Sequence, residues 1–234
     1  MTLLIFDIDG TLVYSERRDS QCFAATYERL YGKSFPSIDW SGYPHVTDTT
    51  IFSTVIERHF RRRPNAEEVQ VFQEAYVRLL TEKRRLDPGH SREVPGARIA
   101  MERLLADERF AVGVATGGWQ RPAHLKLRHV GIPSERLPLQ GADGKHTRED
   151  IIRALLEQVR LRHPEIRQMV YIGDAVWDVR TTRNLNMAFV GLRWQGDAHV
   201  LKAAGARQVV TDYLDYDAFL DIVQRAEVPG KGKG

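Results

Sequence analysis

The chain is poor in the residues that announce several common chemistries. It has one cysteine, Cys22, in 234 residues, which leaves no intramolecular disulfide and suits a cytoplasmic location. Cys22 falls in a pattern with Phe23, Tyr27 and Leu30 that reads as the buried side of a helix, so it is expected in the core and not as a nucleophile. No apolar run approaches the roughly 20 residues of a membrane-spanning helix, and the apolar start Leu3-Leu4-Ile5-Phe6 stops at an aspartate. No membrane partner is expected. No His/Cys cluster favours zinc, and no internal repeat is visible. The charge excess is small, +3 with a pI near 9.0. Its densest basic run, Arg61-Arg62-Arg63, reads as a solvated helix end, so no nucleic acid is expected either.

What is present describes a folded α/β chain. Hydrophobic residues make up 42% and charged residues 28% of the sequence, an ordinary globular mixture, and the length allows one full core with a second, smaller one. Residues 3–6 read as a fully buried strand of a parallel sheet. From about Arg18 to Leu86 the period becomes helical, with Phe23, Tyr27 and Leu30 on one stripe and Val69, Phe72, Tyr76 and Leu79/Leu80 on another. After Val94-Pro95-Gly96 short apolar runs alternate with helical stretches: helices over 97–106, 121–130, 148–161, 177–184, 198–204 and 215–225, strands over 110–115, 169–173, 187–192 and 207–210. That rhythm predicts a three-layer, Rossmann-like parallel sheet with helices on both faces. The expected division is an α/β core of residues 1–13 and 94–228, an inserted helical cap over 14–93 with hinges near Val13-Tyr14-Ser15 and Arg92-Glu93-Val94, and a flexible tail over 229–234.

In an open parallel sheet, ligands bind beyond the carboxyl ends of the strands. The first apolar run ends in Asp7 and Asp9, the second in Thr116-Gly117-Gly118, and the run 169–172 in Gly173-Asp174, with Asp178 one turn later. Lys145 lies between the last two. Carboxylates converging at one sheet edge repel one another and lose solvation unless a cation joins them, which points to a metal. Oxygen donors of this kind suit Mg²⁺. Taken singly, each piece has an ordinary explanation: helix caps for the aspartates, a loop for Thr116-Gly117-Gly118, a solvated charge for Lys145.

Taken together, these segments resemble the haloacid-dehalogenase superfamily, in particular its phosphoglycolate-phosphatase-like phosphatases with a helical cap after the first strand. Asp7-Ile8-Asp9-Gly10-Thr11 matches the D-x-D-G-T motif, Val112 to Gly117 the apolar strand ending in Thr or Ser, and Gly173-Asp174-Ala175-Val176-Trp177-Asp178 the G-D-x-x-x-D motif. The third motif, often K-P-x-P-[DE], is represented by Lys145-His146-Thr147-Arg148-Glu149 without its prolines, and Arg148 is the reserve for Lys145. The resemblance implies a Mg²⁺-dependent hydrolase of small phosphomonoesters that works through an aspartyl-phosphate. Asp7 would be the nucleophile, Asp9 the acid and base, and Thr116, Gly117 and Lys145 would hold the phosphoryl group. Asp7, the Asp9 carbonyl and Asp174 would hold the metal, with Asp178 behind them. A small phosphorylated metabolite is then the expected partner, and the expected assembly is a monomer or homodimer. Substrate selectivity is expected from Tyr14, Arg17, Arg18, His45, Asp48 and Trp119. Arg17 and Arg18 are placed to pair with a second acidic group on the ester. Alternatives are a phosphomutase, a metal-independent 2-haloacid dehalogenase, and a non-catalytic binding protein.

Overall fold

A computed structural model describes residues 1–15 and 17–232. Six strands form one sheet: β1 (Thr2–Phe6), β4 (Phe110–Ala115), β5 (Leu139–Gln140), β6 (Gln168–Gly173), β7 (Ala188–Leu192) and β8 (Gln208–Val210). The order is β5-β4-β1-β6-β7-β8, every pairing being parallel. Two further strands, β2 (Val13–Tyr14) and β3 (Arg92–Glu93), pair antiparallel as a short ribbon. From β1 the chain fills the sheet first toward β4 and β5, then crosses back to β6, so the direction of winding switches beside β1. That switch is where an open α/β sheet leaves a crevice.

The apolar start of the sequence explains β1's central place. Leu3, Leu4, Ile5 and Phe6 have no exposed surface, each such burial being worth about 1.5–3 kcal/mol. Alternation sends Leu3 and Ile5 into one hydrophobic cluster and Leu4 and Phe6 into another, as a strand covered on both faces requires. The layers are supplied by α4 (Ala97–Leu105), α5 (Gln120–His129), α6 (Arg148–Arg160), α7 (Val176–Asn184), α8 (His199–Ala204) and α9 (Tyr216–Gln224). Each of the helices and long strands expected after residue 96 is present within about a residue or two of its expected bounds. The two-residue β5 carried no signal of its own.

Between β2 and β3 lie α1 (Arg18–Tyr31), α2 (Asp48–Phe60) and α3 (Ala66–Leu86). Side-chain caps start two of them. Thr47 Oγ1 accepts from Thr50 N at 3.2 Å and Asn65 Oδ1 from Glu68 N at 2.8 Å, each typically worth about 1 kcal/mol. Their apolar stripes converge on Phe23, whose ring stands 4.9 Å from Phe72 and 5.4 Å from Tyr76. Trp119, from the core side, stacks on the same ring at 5.8 Å. One hydrophobic cluster thus runs from Leu3 and Ile5 through Trp119 into the cap helices.

The packed chain extends further than expected at its end. Pro229 is buried and the Gly230 amide donates to the Gly205 carbonyl at 2.9 Å. This close approach uses the left-handed backbone of Gly205, φ +113°. Lys233 and Gly234 of the expected tail, and Glu16 near the first hinge, lie outside the described residues.

Candidate active site

The carboxyl ends of β1, β4 and β6 face one cavity of about 580 Å³. Because Phe6 is level with both Val114 and Ile172, the residues just past each strand arrive side by side. Asp7 follows β1, and its amide is fixed by the Ile172 carbonyl at 3.0 Å. Thr116 follows β4, fixed by Gln140 O at 3.1 Å. Asp174 follows β6. Asp7, Asp9, Thr116, Gly117, Asp174 and Arg148 all border this cavity.

Two glycines make the approach feasible. Gly10 turns the chain back under Asp174 with φ +78°, and a Cβ there would collide with the Asp174 carboxylate. A Cβ on Gly117 would stand 2.8 Å from the Arg148 guanidinium and 2.5 Å from the Val46 carbonyl. Both positions need a residue without a side chain.

Asp7, Asp174 and Asp178 each offer an oxygen within 4.8 Å of the others. Asp7 is 2% exposed, and its buried Oδ1 has no hydrogen-bond partner. Burial pushes the Asp7 carboxyl up to about 7, against the pull of Arg148. Burial, with Asp178 and Asp7 adding to it, also raises Asp174 well above the usual carboxylate range. An orphaned buried carboxylate oxygen beside two more carboxylates is a costly arrangement. The oxygen-only donor set and its strained protonation fit a hard divalent cation such as Mg²⁺. Asp178 lies deeper: its Oδ1 meets Arg148 Nη1 at 2.8 Å and its Oδ2 accepts from Ala175 N at 3.1 Å.

The two candidate cations separate. Lys145 Nζ is 3.3 Å from the Asp143 carbonyl and 3.5 Å from that of Gly141, and Lys145 does not border the cavity. Arg148, at the first turn of α6, is instead 3.6 Å from Asp7 and 2.8 Å from Asp178. Burial works against its charge, and Asp178 and Asp7 more than restore it. Thr147 Oγ1 caps α6 by accepting from Asp150 N at 3.1 Å, so the helix begins at Arg148, whose side chain meets the carboxylates at the strand ends.

A second buried cation had no motif to announce it. Lys126, in the middle of α5, reaches both oxygens of Asp9 at 2.7 Å and Asp19 at 3.5 Å. Asp19 also binds Arg84 at 2.9 and 3.0 Å and His90 at 3.1 Å. The one available signal was a lysine in an otherwise apolar face of α5, beside Ala123 and Leu127, which are buried.

The cap residues also sort themselves. Tyr14, Arg17 and Asp48 border the cavity. Arg18 turns to Asp87 at 3.2 Å and Gly89 O at 2.9 Å. His45 borders a second cavity, which shares Arg148 and Asp174 with the first. Trp119 is fully buried and donates to Thr49 Oγ1 at 3.0 Å, so it joins cap to core where a cleft position was expected. The start of α2 is bound to the core loops throughout. Asp48 N donates to Gly117 O at 2.7 Å, Thr47 and Thr50 hydroxyls to His146 O at 3.0 and 2.9 Å, and Arg148 Nε to Val46 O at 3.2 Å.

The sequence profile of the haloacid dehalogenase-like hydrolases matches residues 4–192. The chain belongs to that family. Among solved structures, a hydrolase from Pseudomonas syringae is similar at 21% identity and a TM-score of 0.70, over 95% of this chain and 99% of that one. A predicted phosphoglycolate phosphatase from Haemophilus somnus is similar at 17% identity and a TM-score of 0.64, over 93% and 97%. An archaeal β-phosphoglucomutase from a Pyrococcus strain is similar at 18% identity and a TM-score of 0.54, over 96% and 100%. At these identities the likeness establishes the haloacid dehalogenase-like fold. No curated protein sequence matches the chain. Among the described residues no helix is long and apolar enough to cross a membrane.

Proposed function

We propose that this haloacid dehalogenase-like hydrolase cleaves small phosphomonoesters, with Asp7 as nucleophile. The observation that carries the reading is the buried Oδ1 of Asp7, which has no hydrogen bond among the described residues, lies beside Asp174 and Asp178 and forms only a long ion pair, 3.6 Å, with Arg148. A carboxylate meant only for structure is hydrogen-bonded when buried; this one lacks that bond, and its residue borders the cavity. Asp7, Asp174 and the Asp9 carbonyl would hold Mg²⁺, with Asp178 supporting them through Arg148 and Ala175. When bound, the ion neutralises phosphoryl charge so that an anionic nucleophile can approach an anionic ester.

The residues divide the remaining work. Asp7 attacks phosphorus, the ester P–O bond breaks, and an aspartyl-phosphate forms on its carboxyl oxygen. Asp9, whose two oxygens accept from Lys126 Nζ at 2.7 Å, would relay a proton from the Lys126–Asp9 pair to the departing alkoxide and later return one to the pair from the attacking water, whose oxygen releases phosphate and regenerates Asp7. Thr116 and the Gly117 amide would donate to the phosphoryl oxygens. Arg148 serves as the cation of the phosphate end, in the role first expected of Lys145. A 2-haloacid dehalogenase would need neither the second aspartate of the first motif nor the Asp174/Asp178 pair.

The test is a panel of phosphomonoesters with Mg²⁺ and with chelator, using Asp7→Asn as the blank. Metal-dependent release of inorganic phosphate supports the reading. Transfer of the phosphoryl group to another position of a sugar, without free phosphate, assigns a phosphomutase instead. Turnover unchanged in Asp7→Asn removes Asp7 from the mechanism.

A further inference from the structure

The cavity that holds Asp7 and Asp9 is also bordered by residues of the cap and of α5, among them Asp19, Phe23, Trp40, Asp48, Tyr76 and Lys126. A phosphoryl group on Asp7 would have its leaving alcohol within this same cavity, which Asp9 and Asp48 also border. The geometry points to Asp48 as the residue that recognises the leaving alcohol, by accepting a hydrogen bond from a hydroxyl or ammonium group on it. Asp48 then selects phosphomonoesters whose alcohol carries a further donor over those carrying a second anion. This rests on the phosphatase reading above.

Asp48 is the first residue of α2 and is fixed from two sides. Its amide donates to Gly117 O at 2.7 Å, and its Oδ2 accepts from Trp119 N at 3.0 Å. It therefore sits directly over the loop that would hold the phosphoryl group. Its other oxygen has no partner among the described residues, yet the side chain borders the cavity. An acceptor held rigidly, with one oxygen used for anchoring and one left to the cavity, is what selective recognition of a donor requires.

The charges around it argue against an acidic leaving group. Lys126 is only 6% exposed, and its charge is already met by Asp9 through both oxygens and by Asp19. Asp19 in turn is held by Arg84 and His90. Lys126 is thus already engaged by Asp9 and Asp19, so a second carboxylate or phosphate on the ester gains little from it and meets the Asp48 carboxylate instead. Phe23, Trp40 and Tyr76 supply apolar faces suited to the carbon skeleton of a polyol or to an ammonium group. Arg17 also borders the cavity, which makes the acidic ester the competing outcome to be tested.

The experiment compares kcat/KM at about pH 8 with Mg²⁺ for four esters: sorbitol 6-phosphate, phosphoethanolamine, phosphoglycolate and p-nitrophenyl phosphate. They offer a hydroxyl donor, an ammonium donor, a second anion, and neither. The wild-type protein should favour one of the first two over phosphoglycolate by about tenfold or more, the worth of one hydrogen bond to a charged acceptor. Asp48→Asn keeps an oxygen for Trp119 N. Relative to p-nitrophenyl phosphate, it should lose about tenfold on the favoured donor ester and gain on phosphoglycolate. A wild-type preference for phosphoglycolate, or an equal fall on all four esters in Asp48→Asn, overturns the assignment. Activity on none of the four overturns the phosphatase reading and this one with it.

Discussion

The two ends of the cavity treat their carboxylates in opposite ways. At the phosphate end, Asp7 keeps a buried oxygen with no hydrogen bond among the described residues and burial holds Asp7, Asp174 and Asp178 above the usual carboxylate range. Under the cap, Asp19 is as buried as Asp7 but is matched to Arg84, His90 and Lys126. Those partners outweigh its burial and hold its carboxyl well below the usual range. The difference separates a site waiting for a ligand from a network that completes itself. Buried charge is costly in either case, and only the second arrangement meets the cost from within the chain.

The largest expected effect breaks the comparison at its open end. Asp7→Asn should lower turnover by at least about 10⁴-fold, as loss of a nucleophile does, while circular dichroism shows an unchanged fold. Trp119→Ala attacks the closed end. It removes a fully buried ring shared by cap and core and should cost about 3–5 kcal/mol in denaturant unfolding. A loss below about 1 kcal/mol would mean that the cap does not depend on this junction. Arg148→Ala should lower kcat by about 10²–10³-fold, with stopped assays at saturating ester as the readout.

Stability against pH sharpens the same contrast. Asp7 binds its proton more tightly folded, at about 7, than unfolded, at about 4. Between those values the folded state carries more protons, so stability of the chelated protein falls as pH rises through this window. Asp174 and Asp178 shift in the same direction, whereas the stability due to Asp19 is lost only as pH falls below about 4. Thermal melts in chelator should therefore drop by several degrees from about pH 5 to about pH 8. Mg²⁺ should raise them more at the higher pH, and an equal Mg²⁺ effect at both would contradict the assignment of this cluster as the metal site. The smallest effect is expected of Lys145→Ala, within about 0.5 kcal/mol in stability and about twofold in rate. A loss comparable to that of Arg148→Ala would return Lys145 to the site.

Residue types at strand ends carried most of the site in the sequence. Asp7, Thr116 and Asp174 directly follow apolar runs, and the parallel register makes their meeting automatic. Arg148 was less legible because the cation's place depends on where α6 begins, which the cap residue Thr147 decides. Lys126 was hidden in a helical stripe and is explained only by Asp9 and Asp19, 117 and 107 positions earlier in the chain. The junction of α2 with the core was likewise invisible: Asp48, Thr49 and Trp119 show polar and aromatic character without showing that they meet. The packing of Gly230 failed to register because it rests on a bond to the backbone of Gly205, which no side chain announces.

The most direct test of the account asks where the phosphoryl group goes. The protein is mixed with Mg²⁺ and radiolabelled acetyl phosphate, quenched in acid during turnover and digested. The account predicts acid-stable, base-labile label on the peptide containing Asp7 and none in Asp7→Asn. Label on another residue, or continued turnover by Asp7→Asn, would contradict it.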